Sequence, residues 1–481
     1  MKKTAFLSIL AIFLLFHSLT ASAAYTNYTY NRDETVYIEP QAYTNIKTVD
    51  GVTCGTGSFS SPSDVFVAFT GDIYIADKDN NRIVILHSDY TVKRVVDKFE
   101  NNGKTDRFSA PEGVFVAGDN TLFVADTANK RVVVLNADGS LKTTYSAPVE
   151  ISQMSDFEFQ PIRISVDNAG RLFIVSRNLS YGMLELDSEG NFVSFFGTTA
   201  VKRNFMDLIW NRILTREQKD NAAHNQPIEY SGNDIDAEGF IYGCVSAGSA
   251  TSASIRRLNP MGVDVLRRTG SFDPMGDIEK VSDNGVLVST QFVDICVNEN
   301  GMYSALDQLR GRVFTYDADG NLLYVFGGKG DDGGELSTPC ALDRTADGKY
   351  LVLDSTLNRI VIYSSTQYAG QIEKAVTYHY KREYADAENC WRKVLTMSTN
   401  NETAYVGVGK ALFRQAEYES AMEYFKLGND RELYSKAYSE YRREKIRVGF
   451  PVFVCVVLVL IAVFLIWRLV CHFLHRREDH S

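Results

Sequence analysis

From residue 59 to residue 363 the apolar side chains fall in short β-rich runs, each closed by a glycine, aspartate or asparagine turn. Such runs predict strands rather than helices. Four of them share a signature: an aspartate followed five residues later by an arginine that opens an apolar strand. The pairs are Asp77/Arg82, Asp126/Arg131, Asp307/Arg312 and Asp354/Arg359. Each aspartate lies six residues after a turn residue, at Gly71, Asn120, Gly301 or Gly348. A proline stands nine residues before the turn in four units, at Pro62, Pro111, Pro161 and Pro339, and the first three prolines are 49 and 50 residues apart. Six units align in all. The third has Ser176 where the others have aspartate, and the fourth has Val245. Each unit reads as short strands in sets of four, which make one propeller blade. The expected fold is therefore mainly β, a six-bladed β-propeller over residues 24–366. The last unit ends after its third strand, at Tyr363, so the β-like segment 43–49 is expected to supply the missing strand and remove the open edges. A loop aspartate can cap backbone N–H groups and pair with an arginine of its own or a neighbouring blade. Recurrence in four blades gives these pairs a structural role rather than a catalytic one.

Between the third and fourth units the spacing lengthens: Gly170 to Gly239 is 69 residues. Within the extra length, 200–225, Phe205, Leu208, Ile209 and Ile213 share a helical face beside Trp210. The pattern predicts a helix packed on its own domain, with a lid or docking element as the sharper alternative.

After Tyr368 the apolar period changes from two to that of a helix. Two units superpose at a shift of 34, which places Ala387 on Ala421 and Trp391 on Phe425. Tyr405, Val408, Gly409, Leu412, Ala421 and Phe425 fall at the spacings of the tetratricopeptide repeat, which the second unit resembles. That resemblance implies a helical hairpin stack over 367–445, acting either as a protein-binding face or as a stalk. Val448 to Trp467 is twenty residues without a charge. At about 1.5 Å per residue this spans a bilayer core of about 30 Å, so 448–470 reads as a transmembrane helix. Lys2, Lys3, the apolar run Ala5 to Phe16 and Ala21-Ser22-Ala23 read as a signal peptide over 1–23. Basic residues flank the span on both sides, so the signal decides the orientation: the bulk of the chain outside, and 471–481 as a cytoplasmic tail.

A formal charge of −10 and a pI near 5.4 argue against nucleic acid as a partner. Cys54, Cys244, Cys296, Cys340 and Cys390 are far apart and show no metal or redox spacing. No nucleophile elbow, zinc-protease helix or phosphate loop occurs.

The repeat residues resemble the NHL family, whose units run from a proline through a strand ending in Ala-Asp to Asn-Arg and a further strand. Tyr74-Ile-Ala-Asp77 with Asn81-Arg82, and Phe123-Val-Ala-Asp126 with Asn129 and Arg131, carry the likeness. The layout is similar to NHL-repeat envelope proteins of Gram-positive bacteria. This implies a membrane-anchored binding or scaffold protein whose partners are other envelope proteins, transporter subunits or carbohydrate. Six-bladed propellers also include hydrolases and lyases with a metal in the central channel, so a calcium-dependent lactonase- or lyase-like enzyme is the alternative. The position two after each proline, or its equivalent, marks the channel mouth: Asp64, Gly113, Arg163, Gly232, Asp294 and Ala341. Asp64, Arg163 and Asp294 could contact a polar ligand, hold calcium with other oxygens, or pair with one another as a plug. Only His87 and His224 lie in the propeller, which disfavours a histidine-rich zinc site.

Overall fold

The computed structural model describes residues 27–152, 157–198, 228–245, 254–278, 281–283, 286–288, 290–298 and 300–478. The signal segment 1–23 and the insertion helix with Phe205, Leu208 and Trp210 lie outside these residues. The chain divides into two units, one ending at Gly370 and the other starting at Gln371.

The first unit is a six-bladed β-propeller. Blade 1 runs through Asp64–Val67, Ile73–Asp77, Arg82–Leu86 and Val92–Val96, all antiparallel neighbours in sequence order. Blade 2 starts with Pro111–Val116, blade 3 with Pro161–Val166, blade 4 with Tyr230–Ile235, blade 5 with Phe292–Val297 and blade 6 with Pro339–Arg344. Alternation along each strand sends apolar residues to both faces of a blade, and these meet the faces of the next. Phe115, Ile164 and Leu184 share one inter-blade core, and Val65, Ile73 and Leu351 share another.

The ring closes with strand Tyr43–Asp50, which pairs antiparallel with Arg359–Ser365 in the register Arg359↔Asp50 and Ile360↔Val49. Tyr43 stacks on Phe326 at 4.6 Å and meets Tyr350 edge-on at 5.0 Å, so the closing strand carries an aromatic anchor as well as ladder bonds. Blade 4 departs from the four-strand expectation. Among the described residues it has three strands, Tyr230–Ile235, Ile241–Val245 and Ile255–Leu258. Its outer edge is covered by an irregular segment instead: Val265 N–H donates to the Arg257 carbonyl at 2.7 Å, and Arg268 Nη2 donates to the Ile255 carbonyl at 2.9 Å.

The second region is helical: α1 (Gln367–Tyr380), α2 (Tyr384–Met397), α3 (Glu402–Arg414), α4 (Tyr418–Leu427) and α5 (Arg431–Glu478). Asn401 caps α3 by accepting from Ala404 N–H, and Asp430 accepts from Leu433 N–H at the start of α5. Small residues let these helices approach. A Cβ on Gly407 would lie 2.5 Å from the Trp391 ring, and one on Gly409 would lie 2.7 Å from Phe425. Ala387 and Ala421 are fully buried in the same packing. The apolar stretch 448–467 is the middle of α5, and its large side chains are exposed. Among the described residues α5 is the one helix long and apolar enough to cross a membrane.

Candidate functional site

The axis of the propeller is built from the innermost strands, whose inner edges have no neighbouring strand to bond. Buried N–H and C=O groups need partners, and side chains of adjacent blades supply them in two tiers.

The mouth tier binds carbonyls. Ser63 Oγ donates to Pro111 O, Thr127 Oγ1 to Pro161 O, and Ser231 Oγ to Phe292 O, at 3.2, 2.7 and 2.8 Å. Gln308 Nε2 donates to Pro339 O, and the Cys340 thiol to Pro62 O, at 3.2 and 3.3 Å. Between blades 3 and 4 the loop ahead of the strand Met183–Leu186 bonds the segment ahead of Tyr230 through the backbone, with Gly182 N–H donating to Ile228 O and Ile228 N–H to Ser180 O.

The deeper tier binds N–H groups with carboxylates. Asp64 accepts from Val114 N–H, Asp294 from Leu342 N–H, Asp234 from Val297 N–H and Asp343 from Val67 N–H, at 2.8, 2.8, 2.7 and 2.5 Å. Each of these links one blade to the next, and Asp343 crosses the seam where blade 6 meets blade 1.

Arg163 lies across the axis. Its guanidinium donates to the carbonyls of Glu112, Ser63 and Cys340, on blades 2, 1 and 6. Its Nε stands 3.6 Å from Asp64 and 3.8 Å from Asp294. All three side chains are buried. The candidates Asp64, Arg163 and Asp294 are thus brought together as a plug. The small residues of the same ring make room for them. A Cβ on Gly232 would meet Asp294 Oδ1 at 2.8 Å, and one on Gly113 would meet the Ile162 carbonyl at 2.5 Å. Two carboxylates share one guanidinium, so burial pushes Asp64 up to about 7 and raises Asp294 as well. The residues do not fit a calcium centre. Calcium takes six to eight oxygens, whereas here a cation already sits between the carboxylates and each carboxylate is bonded to strand N–H groups. Among the described residues no group of three or more His, Cys, Asp or Glu is placed to hold a metal.

Sequence reasoning missed Asp234 and Asp343. The signal was available, since each lies two residues after a ring position (Gly232 and Ala341) and so shares its face by strand alternation. Burial pushes Asp234 up to about 7, and burial together with the Asp234 charge holds Asp343 well above the ordinary carboxylate range.

The repeat pairs sit away from the axis and are structural in their contacts. Asp77, Asp126, Asp307 and Asp354 accept from Ser60, Ser109, Gln291 and Ser337 N–H, just ahead of each inner strand. Ser176 does the same for Gln160 N–H in blade 3. Asp77–Arg82 and Asp126–Arg131 are ion pairs of 2.7 and 2.8 Å. The other two arginines find different partners. Arg312 turns to Asp277 at 3.1 Å, a carboxylate that also accepts from Tyr28 and Tyr30 of the N-terminal hairpin Tyr28–Tyr30/Val36–Ile38. Arg359 donates to the carbonyls of Asp332 and Glu335.

Above Arg163 the mouth opens into a funnel of about 660 Å³ to which all six blades contribute. Its wall includes Lys78, Glu112, Arg177, Glu229, Gln308 and Thr356.

No family model matches the chain, and no curated protein does. Among solved structures, a streptogramin B lyase is similar at 12% identity and a TM-score of 0.37, covering 70% of this chain and 86% of that one. Virginiamycin B lyase from Staphylococcus aureus is similar at 10% identity and a TM-score of 0.39, covering 67% and 100%. A protein of unknown function from Bacteroides caccae is similar at 9% identity and a TM-score of 0.36, covering 66% and 94%. These likenesses bear on neither ligand nor chemistry.

Proposed function

We propose that this chain is an exported, membrane-anchored binding and scaffold protein. On this reading the propeller and a tetratricopeptide-type stack of α1 to α4 are recognition surfaces, and α5 keeps them beside membrane partners. The observation that carries the reading is the plugged axis. Arg163 occupies the place where a propeller enzyme would need an open metal or nucleophile, and the polar funnel above it is left as a surface for recognition. The exposed apolar middle of α5 supports anchoring. Envelope proteins, including transporter subunits, are the partners proposed.

The experiment is crosslinking and affinity capture of the full chain from native membranes, beside a control lacking residues 368–441. Defined membrane proteins that are captured by the full chain and lost in the control are expected. Identical capture by both would contradict a role for the helical stack.

A further inference from the structure

We propose that the funnel above Arg163 binds an acidic, hydroxyl-rich small molecule of the sugar-acid class. Its volume of about 660 Å³ lies within the range of roughly 300–1,000 Å³ typical of ligand pockets, and its sides differ in chemistry. At one corner Lys78 and Arg177 share the carboxylate of Glu112: Lys78 Nζ lies 3.2 Å from Oε1, and Arg177 Nη2 bonds Oε2. The cations are 30% and 44% exposed, whereas the Glu112 side chain is 8% exposed. An entering ligand therefore meets two cations over a covered anion. Glu112 takes one nitrogen of the Arg177 fork, which leaves donors for a second carboxylate.

Elsewhere on the wall four hydroxyl protons are committed to the fold. Ser63 and Ser231 spend theirs on the mouth tier. Ser355 donates to Thr338 O and Thr356 to Thr338 Oγ1. With their protons engaged, these oxygens are left as acceptors, and Glu229 adds another. They are spread over blades 1, 4 and 6, so the matching ligand brings donors at several points. A ring of hydroxyls does this, whereas a single ammonium reaches one side. A carboxylate at one end and hydroxyls over the rest define the ligand class. The inference rests on reading the propeller as a binding module.

The test is calorimetric titration of the full-length protein in detergent micelles with sodium D-glucuronate, D-glucose and L-glutamate. Glucuronate is expected to bind, with glucose weaker by roughly tenfold or more. Arg177→Gln is expected to bring glucuronate down to the glucose level. Lys78→Gln probes the same corner if the first variant does not fold. Equal binding of glucuronate and glucose, or tightest binding of L-glutamate, overturns the sugar-acid class. No binding of any probe overturns the site. Chemical conversion of glucuronate, followed by NMR, would instead contradict the non-catalytic reading while leaving the ligand class standing.

Discussion

Arg163 satisfies carbonyls on three other blades and stands between two buried carboxylates. Removing one partner of a buried ion pair is costly, about 3–5 kcal/mol, because the other charge stays buried and uncompensated. Arg163→Met is therefore expected to lower the thermal midpoint of the propeller by several degrees, and a midpoint unchanged in calorimetry would argue against the plug. The same carboxylates set a pH dependence. Asp64 and Asp234 are raised to about 7, above the ordinary unfolded value near 3.9, so the folded state holds its protons more tightly. Their contribution to stability is present in acid and is lost as pH rises through about 7. Between pH 6 and pH 8 Asp234 alone is expected to remove about 1 kcal/mol. A melting temperature that climbs over that interval would contradict this. Asp64, Arg163 and Asp294 were legible as a set because Pro62, Pro161 and the equivalent Phe292 count out their shared position. Their choice of partner was not, since the sequence does not say whether a buried carboxylate faces a cation or a metal.

At the scale of the element, ring closure and helix packing rest on a few contacts. Tyr43→Ala removes the stack on Phe326 and Tyr350. The expected loss is about 3–5 kcal/mol, typical of a buried aromatic truncated to alanine, read as an earlier unfolding transition; an unshifted transition would put the closure elsewhere. In the helical unit, Gly409→Val would push a side chain into Phe425. The expected outcome is loss of the helical melting transition by circular dichroism, and an unchanged melt would contradict the close α3–α4 approach. The blades were legible because each strand is a short β-rich apolar run closed by turn residues. Blade 4 was harder to read: Val245 replaces the capping aspartate, and its outer edge is finished by Asp264, Val265 and Arg268 rather than by a periodic strand. The hairpin Lys98–Asn101 with Lys104–Arg107 was also missed. Its polar pattern reads as loop, yet its Asp106 receives two bonds from Arg131, at 2.8 and 3.0 Å, which hold its carboxyl well below the usual carboxylate range.

At the scale of the whole molecule, the chain joins a propeller to a helical unit that carries a long exposed apolar helix. Alkaline carbonate is expected to leave the full chain in the membrane pellet and to release a chain ending at Arg447; release of both would remove the anchor. The central claim is that the propeller axis is closed by a guanidinium and serves recognition, not metal-dependent catalysis. Thermal unfolding of the full-length protein with and without millimolar calcium tests it most directly, because a ligand that binds the folded state raises its stability. The expected result is a shift below about 1 °C. A rise of several degrees that disappears in Asp64→Asn or Asp294→Asn would contradict the claim and make the axis a metal site.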